Sequence, residues 1–155
     1  MTPAATARWR RGRIDDERAS VTTTAPKDAI SSVGIGVSDL ERSIDFYTRI
    51  MGMTFVTTYK TEAMDEALLR FPAGGAAVVL MHYTDGSEHN YRDNPVKLVV
   101  HVVDPAATVE HIRAEGLEIV REPAPIPELG NLVVGLAKDP DGYVVELLKA
   151  SAPEA

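Results

Sequence analysis

The order of its predicted secondary-structure elements is the feature that most constrains the fold of this chain. Between residues 30 and 150 the pattern predicts strand, helix, strand, strand, strand, and then the same order again. The first module covers residues 30–84 and the second covers 96–150, with a polar linker at 85–95. We predict an α+β fold in which two tandem βαβββ modules form cupped mixed sheets around a cleft.

The first module contains one predicted helix among four predicted strands. The helix starts at Ser38, where Ser38 and Glu41 are spaced as a capping box, and it ends before Gly52. Apolar residues recur along the helix at helical spacing, which predicts a buried stripe. The strands are predicted at Ile30–Val37, Phe55–Lys60, Ala67–Pro72 and Ala76–Tyr83, with Gly74-Gly75 in the last turn.

The second module repeats this arrangement with clearer helix boundaries. Asp104 and Pro105 fit the N-cap and first positions of the helix, and Gly116 ends it. Residues 122–130 contain three alternating prolines, which cannot donate to a strand ladder, so we predict a stiff apolar loop over a rim of the cleft. The strands are predicted at Lys97–Val103, Leu117–Arg121, Leu132–Lys138 and Tyr143–Leu148.

The length and composition are those of one ordinary domain, which we place at residues 29–150. Residues 1–28 have little periodicity and are predicted to be a disordered extension, with a short tail at 151–155. The net charge of −7 opposes binding to nucleic acid and suits a basic ligand. No apolar run reaches the ~20 residues of a membrane span, and the lack of cysteine excludes thiolate sites. We expect a cytoplasmic protein that binds neither membrane nor nucleic acid.

Two motifs stand at the start and at the end of the repeat. The first runs VSDLERSIDFY from Val37 to Tyr47, and the second runs DPDGYVVEL from Asp139 to Leu147. The first is similar to the opening strand–helix unit of glyoxalase I, and the second resembles the final hairpin of that enzyme. The resemblance implies a glyoxalase-like fold of the vicinal oxygen chelate superfamily. That fold supports lyases, isomerases, dioxygenases, epimerases and antibiotic-binding proteins, so it does not define a reaction.

The resemblance also implies a set of metal ligands, most of which this sequence lacks. In metal-dependent members four side chains bind one divalent ion, and the matching positions here are Ser32, Leu80, Lys97 and Glu146. A leucine cannot ligate, an ammonium repels a cation, and only the glutamate is an ordinary ligand. We therefore predict no metal and no other cofactor. One alternative stays open, a displaced 2-His-1-carboxylate site made by Glu146, His82 and His101.

The remaining candidates line the predicted cleft. Lys97 and Glu146 are expected to lie together, either as a structural ion pair or as catalytic groups with the glutamate as base. Glycine at positions 34 and 36 would leave room for a bulky ligand or would allow close packing between strands. The other cleft residues are expected to be Ser32, Gly34, Leu80, His82, His101, Ile126 and Leu129.

Three functions are compatible with these residues. The first is metal-free binding of a small molecule, as in proteins of the bleomycin-resistance type. The second is a metal-independent lyase or isomerase that uses Glu146 and Lys97. The third, which the missing ligands oppose, is a metal-dependent enzyme of the lactoylglutathione lyase type. We expect a small-molecule ligand or substrate and, because members of this fold are commonly dimers, a homodimer. The cleft forms either within one chain or across two.

Overall fold

A computed structural model describes residues 29–91 and 94–150, so the extension predicted at 1–28 and the tail at 151–155 lie outside the described residues. The strands are β1 (Ser32–Gly36), β2 (Thr54–Lys60), β3 (Met64–Arg70), β4 (Ala77–Tyr83), β5 (Lys97–Val102), β6 (Ile119–Ile126), β7 (Leu132–Lys138) and β8 (Val144–Lys149). The helices are α1 (Leu40–Asp45), which continues as a π-helical turn at Phe46–Ile50, and α2 (Pro105–Ala114), with a 3-10 turn at Pro127–Leu129. Within the described residues, no helix has the length and apolarity needed to cross a membrane.

The strands form two four-stranded sheets, one for each module. The strand order is β1-β4-β3-β2 in the first sheet and β5-β8-β7-β6 in the second. In each sheet the first and last strands of the module pair in parallel, and the other neighbours are antiparallel. The parallel pair requires a crossover connection, and the predicted helix falls within it. The predicted α+β fold of two tandem βαβββ modules is thereby confirmed.

Each sheet packs one face against its helix and leaves the other face without a helix. On the helix faces the side chains are buried in a single hydrophobic cluster that contains Leu80 of the first sheet and Leu147 of the second. We call the opposite sides the open faces, because neither helix covers them. Strand alternation and register assign to them Ser32, Gly34, Val79 and Met81 in the first sheet, and Lys97, Val99, His101, Arg121, Leu136 and Glu146 in the second.

The first helix begins one residue later than the sequence predicts. Asp39 is the N-cap, since its carboxylate accepts a hydrogen bond from the amide of Arg42 at 3.0 Å. Ser38 instead donates its hydroxyl to Asp141 of the second module. The predicted capping box is therefore wrong, because both neighbouring residues are good caps and a distant carboxylate binds the serine. Gly52 follows the helix with a φ of 73°, as its predicted role requires.

The proline-rich segment is largely a strand, and the predicted loop is wrong there. β6 extends to Ile126 as the outermost strand of the second sheet, and its register shifts on both sides of Arg121. Proline fits here because an edge strand has one side without ladder hydrogen bonds and because a bulge interrupts the pairing. Pro123 packs closely on Gly135, where an added Cβ atom would lie 3.0 Å from its ring.

A buried turn of the second module holds the first helix of the first module. Asp139 accepts hydrogen bonds from the hydroxyl of Tyr47 at 2.8 Å and from the amides of Asp141 and Tyr143 at 3.0 and 2.8 Å. Burial raises the pKa of the Asp139 carboxyl above its ordinary value, and these hydrogen bonds offset part of that rise. Burial and the nearby Asp139 also raise the pKa of Tyr47, which therefore keeps its proton at neutral pH.

The second acid of the turn, Asp141, binds the start of α1. Its carboxylate accepts hydrogen bonds from the Ser38 amide at 3.1 Å, from the guanidinium of Arg42 at 3.0 Å and from the hydroxyl of Ser43 at 3.2 Å. Tyr143 adds a hydrogen bond from its hydroxyl to the carbonyl of Gly36 at 2.9 Å. The two modules are therefore joined by buried polar contacts as well as by their common core.

We expect Tyr47→Phe to lower the free energy of unfolding by about 1–3 kcal/mol, because a buried carboxylate loses a donor. The folded pKa of Asp139 lies above its unfolded value, so the stability that its protonated form provides is lost as pH rises through the folded pKa. Removal of the Tyr47 hydroxyl raises that pKa further. The deficit of the variant should therefore be larger at about pH 7 than at about pH 5.

Urea unfolding at the two pH values measures this deficit. Tyr59→Phe is the matched control, because the Tyr59 side chain is exposed and the same oxygen is removed without loss of a buried contact. A Tyr47→Phe deficit that is equal at both pH values would show that ionisation of Asp139 is not involved.

Candidate functional site

Three ionisable side chains lie on the open face of the second sheet, and two of them are in contact. Glu146 on β8 is opposite Val99 of β5, which stands between Lys97 and His101 on the same face. The ammonium of Lys97 and the carboxylate of Glu146 form an ion pair. The structure therefore brings together the two residues that the sequence singled out as candidate catalytic groups, and the exposed His101 lies four residues beyond Lys97 on the same face of β5.

Lys97 is the more solvent-accessible member of the ion pair. The Lys97 side chain is 51% exposed, whereas the Glu146 side chain is 15% exposed and is flanked across the strands by Leu136 and Val99. An ammonium has three donors, of which a single carboxylate oxygen uses one. Lys97 can therefore bind an oxygen of a ligand while it balances the charge of Glu146.

On the open face of the first sheet, side chains fill the space beside the two glycines that could have left room for a ligand. Ser32 and Gly34 are exposed there, but the sulfur of Met81 lies 3.1 Å from where a Cβ of Gly34 would be. The ring of Tyr91 lies at the same distance from a Cβ added to Gly36. Of the two readings of these glycines, the structure shows close packing and not empty space.

Leu80 and His82 do not belong to the cleft, and their predicted placement is wrong. Leu80 is fully buried in the common core, where it pairs with Ile35. His82 lies on the same helix face, and its Nδ1 is 3.1 Å from the carbonyl oxygen of Val37. Strand alternation places their neighbours Val79 and Met81 on the open face instead. Because all residues from 77 to 81 are apolar, the sequence pattern could not distinguish the two faces of β4.

The alternative metal site made by Glu146, His82 and His101 does not assemble. Glu146 and His101 share the open face of the second sheet, whereas His82 lies on the helix face of the first. Across residues 29–91 and 94–150, no three His, Asp or Glu side chains are placed to hold a metal ion. A 2-His-1-carboxylate site with these residues is therefore contradicted by the register of β4.

The two candidates from the proline-rich segment lie at the far end of β6. Ile126 is half-buried and pairs with Leu132, which shares a face with Leu136. Leu129 lies in the 3-10 turn and is 55% exposed. The structure thus places Ile126 at the border of the open face and Leu129 beyond it. Contact of either residue with a ligand stays a prediction.

The linker contributes an aromatic cluster that the sequence analysis missed. The ring of His89 stacks on Tyr83 with their centroids 3.7 Å apart, and Tyr91 packs on Gly36 at the end of β1. A small cavity of about 260 Å³ lies beside this cluster and reaches Arg42 and Asp141. The linker was predicted as polar, and the only signal for this cluster was the presence of aromatic rings among its turn residues.

The fold and its open faces define a class of protein, and the comparison with known sequences agrees with it. The sequence profile described as the Glyoxalase/Bleomycin resistance protein/Dioxygenase superfamily matches residues 29–147. This match covers both modules, including the turn at Asp139 and the ion pair on the open face. The chain belongs to this superfamily.

The chain is similar in sequence to curated proteins that are named lactoylglutathione lyase. Lactoylglutathione lyase GLX1 of Arabidopsis thaliana is 34% identical over 117 residues, which are 73% of this chain and 41% of the relative. A probable lactoylglutathione lyase of Vibrio parahaemolyticus is 32% identical over 117 residues, which are 73% of this chain and 84% of the relative. The chain therefore spans less than half of the plant protein but most of the bacterial one.

Solved structures show the same architecture. Glyoxalase I from Zea mays has a TM-score of 0.68 at 28% identity, over 79% of this chain and 45% of the maize chain. TnmS3, an antibiotic binding protein from a Streptomyces species, has a TM-score of 0.63 at 18% identity, over 81% of this chain and 98% of TnmS3. The second likeness shows the fold alone.

We expect Leu80→Ala to lower the free energy of unfolding by about 2–5 kcal/mol, because it leaves a cavity in the common core. Val79→Ala, one residue away on the partly exposed open face, should cost about 1 kcal/mol or less. Urea unfolding of both variants measures the difference. If Val79→Ala were the more damaging substitution, the assignment of the two faces of β4 would be reversed.

Proposed function

We propose that this chain is a small-molecule-binding member of its superfamily, and that it holds the ligand on the open face through the Lys97–Glu146 ion pair in place of a divalent ion. The observation that carries the proposal is the contact of these two side chains at a position where the family resemblance implies a metal site. The ligand class is a small molecule with a carbonyl or carboxylate oxygen, which the free donors of Lys97 would bind.

The donor set on the open faces does not fit a divalent ion. The four implied positions supply one carboxylate from Glu146, one hydroxyl from Ser32, an ammonium from Lys97 and no donor from the strand that holds Leu80. The open-face neighbours of Leu80 are Val79 and Met81, and neither is an oxygen or nitrogen donor. A divalent ion generally takes four or more ligands, and the ammonium would repel it. No step of the proposed function therefore runs through a metal.

The same ion pair supports a second candidate function, a metal-independent lyase or isomerase. Glu146 is 15% exposed and its carboxylate contacts Lys97, so a carbonyl compound bound by Lys97 would place the carbon next to its carbonyl near this carboxylate, which could take a proton from it. Lys97 would stabilise the negative charge that develops on the carbonyl oxygen. The relatives named lactoylglutathione lyase favour this candidate. A metal-dependent lyase of that type is opposed by the donor set described above.

Metal analysis together with turnover of the methylglyoxal–glutathione hemithioacetal separates these functions. We expect less than stoichiometric nickel or zinc in the purified chain, and no gain in turnover when either metal is added. Stoichiometric metal accompanied by metal-dependent turnover would overturn the proposal. Turnover that resists chelation by EDTA and is lost in Glu146→Gln, with the Michaelis constant kept, would select the metal-independent enzyme over the binding protein.

We also propose that two copies of the chain complete the cleft. The modules of one chain meet through their helix faces, so both open faces are left uncovered by the other module. Open-face residues remain accessible in the single chain, with Val99 54% exposed and Ser32 and His101 also exposed. An open face from a second copy would enclose the Lys97–Glu146 pair and exclude water from it.

Sedimentation of the full chain tests this assembly. We expect a dimer of twice the 16.8 kDa chain mass, with dissociation only at high dilution. Val99→Asp places a charge at the centre of the open face and should shift the equilibrium toward the monomer. Val103→Asp is the control, because Val103 lies beyond the end of β5 and is already 87% exposed. A chain that sediments as a monomer at every concentration would contradict the dimer.

A further inference from the structure

Arg121 occupies a special position on the open face of the second sheet. Its pairing partner on β7 is Leu136, which in turn pairs with Glu146 on β8. The three residues form one row across neighbouring strands, so Arg121 lies on the same face as the ion pair. With about 4.8 Å between strands, the Cα atoms of Arg121 and Glu146 are separated by about 10 Å.

The backbone on either side of Arg121 is irregular. The register of β6 shifts between Ile119 and Arg121 and again between Arg121 and Ala124, so the arginine is a single aligned residue between two irregularities. The second irregularity contains Pro123, whose ring fits against Gly135. Bulges re-aim side chains and are frequent beside active sites. The local structure thus fixes the face on which this arginine lies.

The guanidinium of Arg121 has no partner among the described residues, within which it makes neither an ion pair nor a hydrogen bond. The adjacent acid, Glu122, is engaged by Arg113 of α2 on the helix side. The Arg121 side chain is exposed, and among the described strand residues of the second sheet this face also carries the cations Lys97 and Lys138 and the acid Glu146. This face is therefore locally cationic within a chain whose net charge is −7.

We infer that Arg121 is the specificity-determining residue of the cleft and that it binds a carboxylate of the ligand. A guanidinium offers two parallel N–H donors that match the two oxygens of a carboxylate. The inference rests on the proposed function, since the other end of the same ligand is bound at the Lys97–Glu146 pair. The ligand class is then a short organic acid with a second oxygen-bearing group several bonds from its carboxylate. The basic ligand that the net charge suggested is disfavoured.

Glutarate is the probe for this inference, and glutaramide is its neutral counterpart. Binding to the full chain is measured by calorimetry and by the Nε–Hε resonance of Arg121. We expect glutarate to bind, to shift that resonance and to bind about tenfold to a hundredfold more weakly to Arg121→Gln. Arg121→Lys should recover only part of the loss, because the ammonium cannot form the paired contact. Glutaramide should bind poorly to all three proteins.

Lys149→Gln is the matched control, since it removes the same charge from the second sheet on the opposite face, where Lys149 is exposed. It should leave glutarate binding unchanged. Equal losses in Arg121→Gln and Lys149→Gln, or equal binding of glutarate and glutaramide, would overturn the inference. If glutarate binding depends on Arg121 but is unaffected by Lys97→Met and Glu146→Gln, the carboxylate site stands and the proposed role of the ion pair fails.

Discussion

The architecture depends on the buried carboxylates of the turn between β7 and β8. Asp139 and Asp141 belong to the second module, yet Tyr47, Ser38, Ser43 and Arg42, which bind them, belong to the first. A buried carboxylate without donors is strongly unfavourable, so this turn can be buried only when α1 of the other module supplies its hydroxyl and guanidinium groups. The contact therefore determines which sides of the modules meet. The helix faces are buried together, and the open faces are left for a ligand or a partner.

This division assigns stability and binding to opposite sides of the same strands. On β8, Val145 and Leu147 are buried in the core, whereas Glu146 between them faces the open side. On β5, Lys97, Val99 and His101 of the open face alternate with Leu98 and Val100 in the same way. Because the alternation of a strand is strict, residues on the open face can change without a cavity forming in the core. A lysine at position 97, where the family resemblance implies a metal ligand, is compatible with an intact fold for this reason.

The sequence predicts the elements better than the faces of the strands. The cap at Asp104 and the glycine that ends each helix follow from local chemistry, and the structure agrees with them. The sequence also predicts which residues of β5 share a face, because Lys97 and His101 interrupt an apolar run and are separated by four residues, an even number. β4 has no polar residue before His82, so its sequence does not show which alternate residues face the core. The prediction that Leu80 lies in the cleft is wrong for this reason. The prediction of a loop at the proline-rich segment is wrong for another reason. This strand tolerates proline because it lies at the edge of the sheet, and the order of strands in a sheet cannot be predicted from one segment.

In the proposed function an ammonium takes the place of a divalent ion, and this changes what the open face can do. A metal ion polarises an oxygen and binds several ligands at once, whereas Lys97 carries one charge and is partly neutralised by Glu146. The net attraction that the pair offers to a neutral carbonyl is therefore modest, and affinity has to come from another contact on the same face. Arg121 is suited to supply it, because its guanidinium has no partner among the described residues and lies in the same row as Glu146. In the proposed function, the Lys97–Glu146 pair and Arg121 would thus act together and bind an anionic ligand at two points of the same face.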